Sequence, residues 1–159
     1  LFTVQLDFAL AERFDMIYID ENGEKARPLI IHRSSIGCYE RTLAMLIEKY
    51  NGAFPLWMAP EQVRVLSLTD RTAENAKAVA KELFDGGIRA EADVRSEKLG
   101  KKIREAQLEK VPYVLVIGDK EAEEGVVAVR HRTEGDLGTM QIADFVALAK
   151  AEIKSRERK

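Results

Sequence analysis

The chain has 159 residues, 46% hydrophobic and 33% charged, with a formal net charge of −2. This excludes a disordered tail and a protein that binds nucleic acid through bulk positive charge. Its one cysteine, Cys38, excludes an internal disulfide framework and fits a reducing compartment, and no apolar run reaches membrane-spanning length.

Residues 1–8 alternate apolar and polar side chains and predict a strand with one solvated face. They lack an initiating Met and read as the middle of an element, so a piece of a longer protein is expected. Residues 16–19 predict a second strand, Asn22-Gly23 a hairpin turn, and residues 28–31 the returning strand. A helix follows over 37–50, with Leu43, Leu46 and Ile47 on one face and Asn51-Gly52 as its stop. This meander plus helix is too small to hold a core alone. Residues 51–60 lie around Pro55 and Pro60, carry the only Trp, and predict a stiff hinge packed on both neighbours.

The pattern then becomes regular. Strands are predicted over 63–68, 88–94, 112–117 and 126–130, and helices over 73–85, 97–110 (capped by Ser96) and 142–153. The order βαβαββα argues for an α/β domain with a mixed sheet flanked by helices. Residues 154–159 form a charged tail expected to fray.

Three places carry candidate chemistry. Residues 31–41 run from a strand through His32-Arg33 and a small-residue turn into a helix that opens with Gly37 and bears Glu40-Arg41. A fixed cation beside helix N–H groups suits phosphate; a surface ion pair for Arg41 and a solvated or structural His32 are the plain alternatives. Residues 95–104 hold Arg95, Lys98, Lys101, Lys102 and Arg104 against one acid, Glu97. That is either a phosphate-binding helix start or a solvated face. Glu121 and Arg130 are complementary, an acceptor for base amino groups and a bidentate donor to a guanine edge. Both follow strands and are expected at the same end of a hairpin, facing one splayed RNA strand. An ordinary acidic turn is the alternative for Glu121.

Residues 31–41 resemble the third signature motif of class II aminoacyl-tRNA synthetases. Residues 95–104, Val111-Pro112-Tyr113 through Gly118-Asp119-Lys120-Glu121, Val127-Ala128-Val129-Arg130 and Asp136-Leu137-Gly138-Thr139-Met140 are similar to the anticodon-binding domain of the threonyl-tRNA synthetase family. The likeness covers essentially the whole chain. It implies a C-terminal remnant of a class II catalytic domain over 1–50, a hinge over 51–60 and an anticodon-binding domain over 61–159. The resemblance further implies that Arg41 is catalytic, stacking on the adenine of ATP near its phosphates, and that Gln5 lines the threonine pocket. Cys38 stands where the family often has Ser near the adenylate. His32 matches one of three zinc ligands, the zinc reading threonine's amino and hydroxyl groups. Glu121 and Arg130 match residues that read anticodon bases, with Lys98, Arg104 and Lys120 nearby on the RNA. Ser96 stands where Asn is expected.

For the intact enzyme the family implies zinc, ATP and Mg, threonine and tRNA as partners, a homodimer and a cytoplasmic setting. The piece alone is expected to be inactive, to bind no cofactor and to be a monomer. Rival readings are a non-catalytic RNA- or protein-binding accessory module, a small nucleotide enzyme built around Arg41, and a sibling synthetase for proline, histidine or glycine.

Overall fold

The computed structural model describes residues 3–34 and 37–156. Residues 1–2 of the predicted first strand, Ser35 and Ile36 of the predicted phosphate turn, and 157–159 of the tail lie outside the described residues. The chain divides into two compact units, Leu1–Lys49 and Tyr50–Lys159.

In the first unit, β1 (Thr3–Asp7) pairs antiparallel with β4 (Ile30–Ser34), and Gln5 stands opposite His32. Asp7 Oδ1 accepts the N–H groups of Ala9 and Leu10, each at 2.9 Å, and starts a short helix, α1 (Ala9–Arg13), that sequence pattern did not predict. Strands β2 (Tyr18–Ile19) and β3 (Lys25–Ala26) form the hairpin. Its turn closes on Asp20, whose Oδ1 takes the N–H groups of Asn22 and Glu24, with Gly23 at φ +81°. This corrects the expected return over 28–31. The tight Asp20–Glu24 loop makes Lys25 the partner of Ile19, Pro28 has no N–H for a ladder, and the next strand pairs with β1 instead. Helix α2 (Tyr39–Tyr50) follows, and Ala11 is the only buried residue among the described residues of this unit.

The second unit contains β5 (Val63–Ser67), a 3-10 turn (Asp70–Thr72), α3 (Ala73–Asp85), β6 (Ala90–Asp93) and α4 (Leu99–Leu108). It continues through β7 (Tyr113–Ile117), α5 (Asp119–Glu124), β8 (Val126–His131), β9 (Gly135–Gln141) and α6 (Ile142–Ser155). One mixed sheet runs in the order β6-β5-β7-β8-β9, with β5, β6 and β7 parallel and β8 and β9 antiparallel. Helix α5 and strand β9 are additions to the expected order. The first is too short to show a helical period. The second carries Gly135, Asp136 and Gly138, which read as turn residues; the structure uses Gly138 at φ +80° beside a register shift between Val129 and Arg130.

Alternation along the strands sorts the core into two layers. Val63, Val65, Leu115, Ile117, Val127 and Val129 pack with Ala76, Val79, Leu83, Phe145 and Ala149, so α3 and α6 cover one face. Leu66, Val114 and Val116 pack with Leu99, Ile103 and Ala106, so α4 covers part of the other. No residue of β8 or β9 joins that second cluster. The α4 side of β8 and β9 is therefore left uncovered by the described residues, with Ala128 and Arg130 half-buried and Thr139 exposed upon it. Residues 50–60 belong to this unit: Leu56 lies in its core, and Arg132 donates to the Phe54 carbonyl at 3.1 Å.

Candidate nucleic-acid interface

The carboxyl ends of the parallel strands β5 and β6 border a cleft in the second unit. Strand β5 lies between β6 and β7. Its chain leaves toward α3 on one face, while β6 leaves toward α4 on the other, and diverging loops of this kind open a crevice in α/β sheets. A cleft of about 590 Å³ sits there, lined by Ser67, Leu68, Thr69, Ser96, Lys98 and Lys102 among others.

The basic stretch 95–104 splits by helix face. Leu99, Lys102, Ile103 and Ala106 recur at helical spacing and point to the sheet. Lys102 is thus 1% exposed and donates to the carbonyls of Ser67 and Asp93. This corrects its reading as a phosphate-facing cation: the charges had been counted without their faces. Lys101 pairs with Glu97 at 2.6 Å, and Arg95 pairs with Asp93 and Glu105, each at 2.6 Å. Ser96 is exposed in the loop and does not cap α4, whose N-cap is Lys98 without a side-chain bond.

Lys98 and Arg104 remain exposed, with no side-chain ion pair to a described residue. Glu105 and Glu109 reach toward β6 and β5 through Arg95 and Arg64. Arg104 lies nearly opposite the buried stripe of α4 and faces solvent.

Glu121 is half-buried in α5, and its Oε2 accepts the Gly118 N–H at 3.0 Å. A Cβ on Gly118 would stand 2.7 Å from that oxygen, so glycine there lets the carboxylate close over the helix start. Lys120 is exposed, 4.0 Å from Glu124, and Asp119 is held by Arg71 at 2.7 Å. Arg130 stands opposite Val114 of β7 and Asp136 of β9, and its guanidinium has no hydrogen bond or ion pair with a described residue. The expectation that Glu121 and Arg130 share one end of a hairpin is corrected. Helix α5 is itself the connection, and Arg130 lies four residues along β8 from Val126, about 13 Å away at strand rise. A run of several nucleotides, and not one base, is needed to span both.

Sequence reasoning missed Leu68, exposed at the end of β5, and Thr139, on the open face of β9 beside Ala128. Position at a parallel strand's carboxyl end was the available signal for Leu68. Thr139 stands in the sequence only within the family likeness over 136–140, because β9 itself reads as a turn.

Asp93 ends β6, where its carbonyl accepts from Lys102 and its carboxylate from Arg95. The hydrogen bonds from Arg95 hold its carboxyl below the ordinary value of 3.8 against the opposing effect of burial. A carboxylate depressed in the folded state stabilises above its unfolded pKa, and the gain disappears as pH falls through the folded value. Asp93→Asn is expected to lower the urea midpoint at pH about 7, with the deficit shrinking toward pH about 2. Parallel titrations of both proteins at the two pH values check this.

In the first unit, Gln5 and His32 are cross-strand neighbours, and His32 Nε2 lies 3.2 Å from Asp7 Oδ2. They border a cleft of about 530 Å³. The Asp7 carboxyl is held below its usual range, first by the Leu10 N–H and also by Ala9 and His32. Cys38 and Arg41 are exposed at the start of α2. Among the described residues no group of three or more His, Cys, Asp or Glu side chains converges as a metal site. His32 and Asp7 are the metal-capable side chains that meet here. No described helix is long and apolar enough to cross a membrane.

The family described as Anticodon binding domain matches residues 62–152, which lie wholly in the second unit. The chain belongs to that family. The anticodon-binding domain is accompanied by close relatives along its whole length. The threonine–tRNA ligase of Clostridium perfringens (strain 13 / Type A) is 61% identical over 99% of this chain and 24% of that protein. That of Clostridium botulinum (strain Eklund 17B / Type B) is 60% identical over 99% of this chain and 25% of that protein. The chain spans about a quarter of the length of these curated relatives. A crystal structure of the RNA binding domain of threonyl-tRNA synthetase from Cryptosporidium parvum Iowa II superposes with a TM-score of 0.71 at 36% identity, covering 95% of this chain and 38% of that one.

Proposed function

We propose that residues 61–159 read the anticodon loop of threonine tRNA, as one part of an ATP-dependent threonine–tRNA ligase. The observation that carries this reading is Arg130: a half-buried guanidinium without a described partner, set on the uncovered sheet face of an anticodon-binding domain. A guanidinium so placed has two parallel donors for the O6/N7 edge of guanine. Glu121 keeps one carboxylate oxygen for a base amino group while the other caps α5. Lys98, Arg104 and Lys120 lie where a backbone of unpaired nucleotides would pass, and they position it without reading sequence. Ser96 borders the cleft and is short enough to admit a base. Single-stranded loops suit this surface because their base edges are free.

Residues 1–50 are assigned to the end of a class II catalytic domain, with 51–60 as the link. Arg41 and Cys38 then belong to the ATP side, and Gln5 and His32 to the threonine side. Zinc and the remaining contacts would require residues beyond the two donors seen here, and no step is assigned to the metal. The single exposed Cys38 suits a reducing cytoplasm.

The test is direct binding of the 159-residue chain to the threonine anticodon stem-loop and to the same stem-loop with one anticodon base replaced. The cognate loop is expected to bind tighter by about 1–3 kcal/mol per replaced base, and equal affinities overturn the assignment. Lys98→Ala is expected to weaken both complexes alike and to reduce the slope of log K against log salt by about one. An unchanged slope would remove Lys98 from the phosphate path.

A further inference from the structure

Lys102 is the charged side chain of α4 that turns wholly inward, and its environment is specific. Its ammonium donates to the Ser67 carbonyl at 3.0 Å, the Asp93 carbonyl at 3.1 Å and Ser67 Oγ at 3.3 Å. Ser67 and Asp93 are the last residues of β5 and β6. The ladder between those strands ends where Leu66 faces Asp93, and beyond it the two chains part toward opposite faces of the sheet. Carbonyls at such a fork stand past the ladder, and an ammonium with three donors can take them together. The Asp93 carboxylate lies 4.0 Å away and is itself held by Arg95 at 2.9 and 2.6 Å.

We propose that Lys102 is the positioning residue of the RNA-reading cleft, tying the ends of β5 and β6 so that the loops bearing Leu68 and Thr69, and Ser96 and Lys98, keep a fixed separation. The proposal rests on the anticodon reading above. Ser67 and Lys102 line the cleft and Asp93 lies beside it, and the ammonium's donors are spent on these acceptors, so Lys102 acts through the loops and does not touch RNA. Burying a charge to fill an apolar stripe costs desolvation that a methionine of similar length avoids. The charge is therefore explained by what it fastens. A surface held within a fraction of an ångström discriminates better than one whose two rims drift apart.

The experiment uses the full 159-residue chain carrying Lys102→Met or Ser67→Ala. Two quantities are measured: the ratio of affinities for the threonine anticodon stem-loop and a loop with one anticodon base replaced, and backbone amide hydrogen exchange. Lys102→Met is expected to quicken exchange in residues 68–72 and 94–98 by about tenfold while β7, β8 and β9 keep theirs, and to cut the affinity ratio by about fivefold. Ser67→Ala, which removes one acceptor of Lys102 together with the Ser67 hydroxyl's own bond to the Asp93 carbonyl at 3.4 Å, is expected to move both quantities the same way by about threefold. Unchanged loops with an unchanged ratio overturn the proposal. So does exchange that rises evenly through the sheet while discrimination stays intact, since that marks a merely structural lysine. If Lys102→Met does not fold, Ser67→Ala decides on the same two readouts. If the unmodified chain does not discriminate between the loops, the anticodon reading fails, and the exchange pattern still decides for or against Lys102.

Discussion

Replacing Arg130 with alanine is expected to weaken binding to the threonine anticodon stem-loop by about 1–3 kcal/mol, the scale of one bidentate base contact. The loss should be confined to loops that carry the base Arg130 reads, because a phosphate contact would weaken every loop alike. Arg130→Lys should recover little, since an ammonium is a point charge without the planar fork. Stability should barely change, because the guanidinium pairs with no described residue and stands on an uncovered face. Fluorescence anisotropy with cognate and base-replaced loops, beside a thermal melt, measures both quantities. Equal affinity of Arg130→Ala and the unmodified chain for the cognate loop removes Arg130 from the site.

The largest stability effect is expected at Phe145. This ring is fully buried in the main core and meets Tyr113 edge-on with centroids 5.4 Å apart. Tyr113 in turn donates its hydroxyl to Glu152 at 2.7 Å, and burial together with that carboxylate pushes its phenol well above the usual value. Phe145→Ala removes a buried ring and leaves a cavity beneath β7 and β8, which costs about 3–5 kcal/mol. Trp57 lies in the same unit, so its fluorescence reports the transition in urea. A loss below about 1 kcal/mol would mean that the site collapses around the gap.

Much of the second unit was legible because its elements obey simple periods. Residues 73–85 carry Ala76, Val79, Ala80 and Leu83 on one stripe, and the observed helix has those bounds. Residues 112–117 are nearly all apolar, and the observed strand is central with helices on both faces. Legibility failed where a local device overrode the period. The Asp7 carboxylate starts α1, the Asp20 carboxylate fixes the hairpin register, and a glycine in the left-handed region keeps β9 in the sheet despite its turn-like composition.

The candidate site divides in the same way. Residue types were readable; directions were not. Five cations between residues 95 and 104 looked like one patch, yet Lys102 is a buried tie and Lys101 and Arg95 are engaged by neighbouring acids. Only helix phase and strand ends separate these roles, and neither shows in a charge count. Arg130 and Glu121 were paired as neighbours because the connection between β7 and β8 was read as a plain turn. As a helix, it follows the carboxyl end of β7, whereas Arg130 stands opposite Val114 near the start of that strand.

The anticodon reading assigns the RNA to the carboxyl ends of β5, β6 and β7 and to the uncovered side of β8 and β9. Titrating the isotope-labelled 159-residue chain with the threonine anticodon stem-loop, followed by amide and side-chain chemical shifts, tests it most directly. Perturbation is expected at Leu68, Ser96, Lys98, Arg104, Lys120, Glu121, Ala128, Arg130 and Thr139. Shifts centred on the outer surfaces of α3 and α6, or none at saturating RNA, would contradict it.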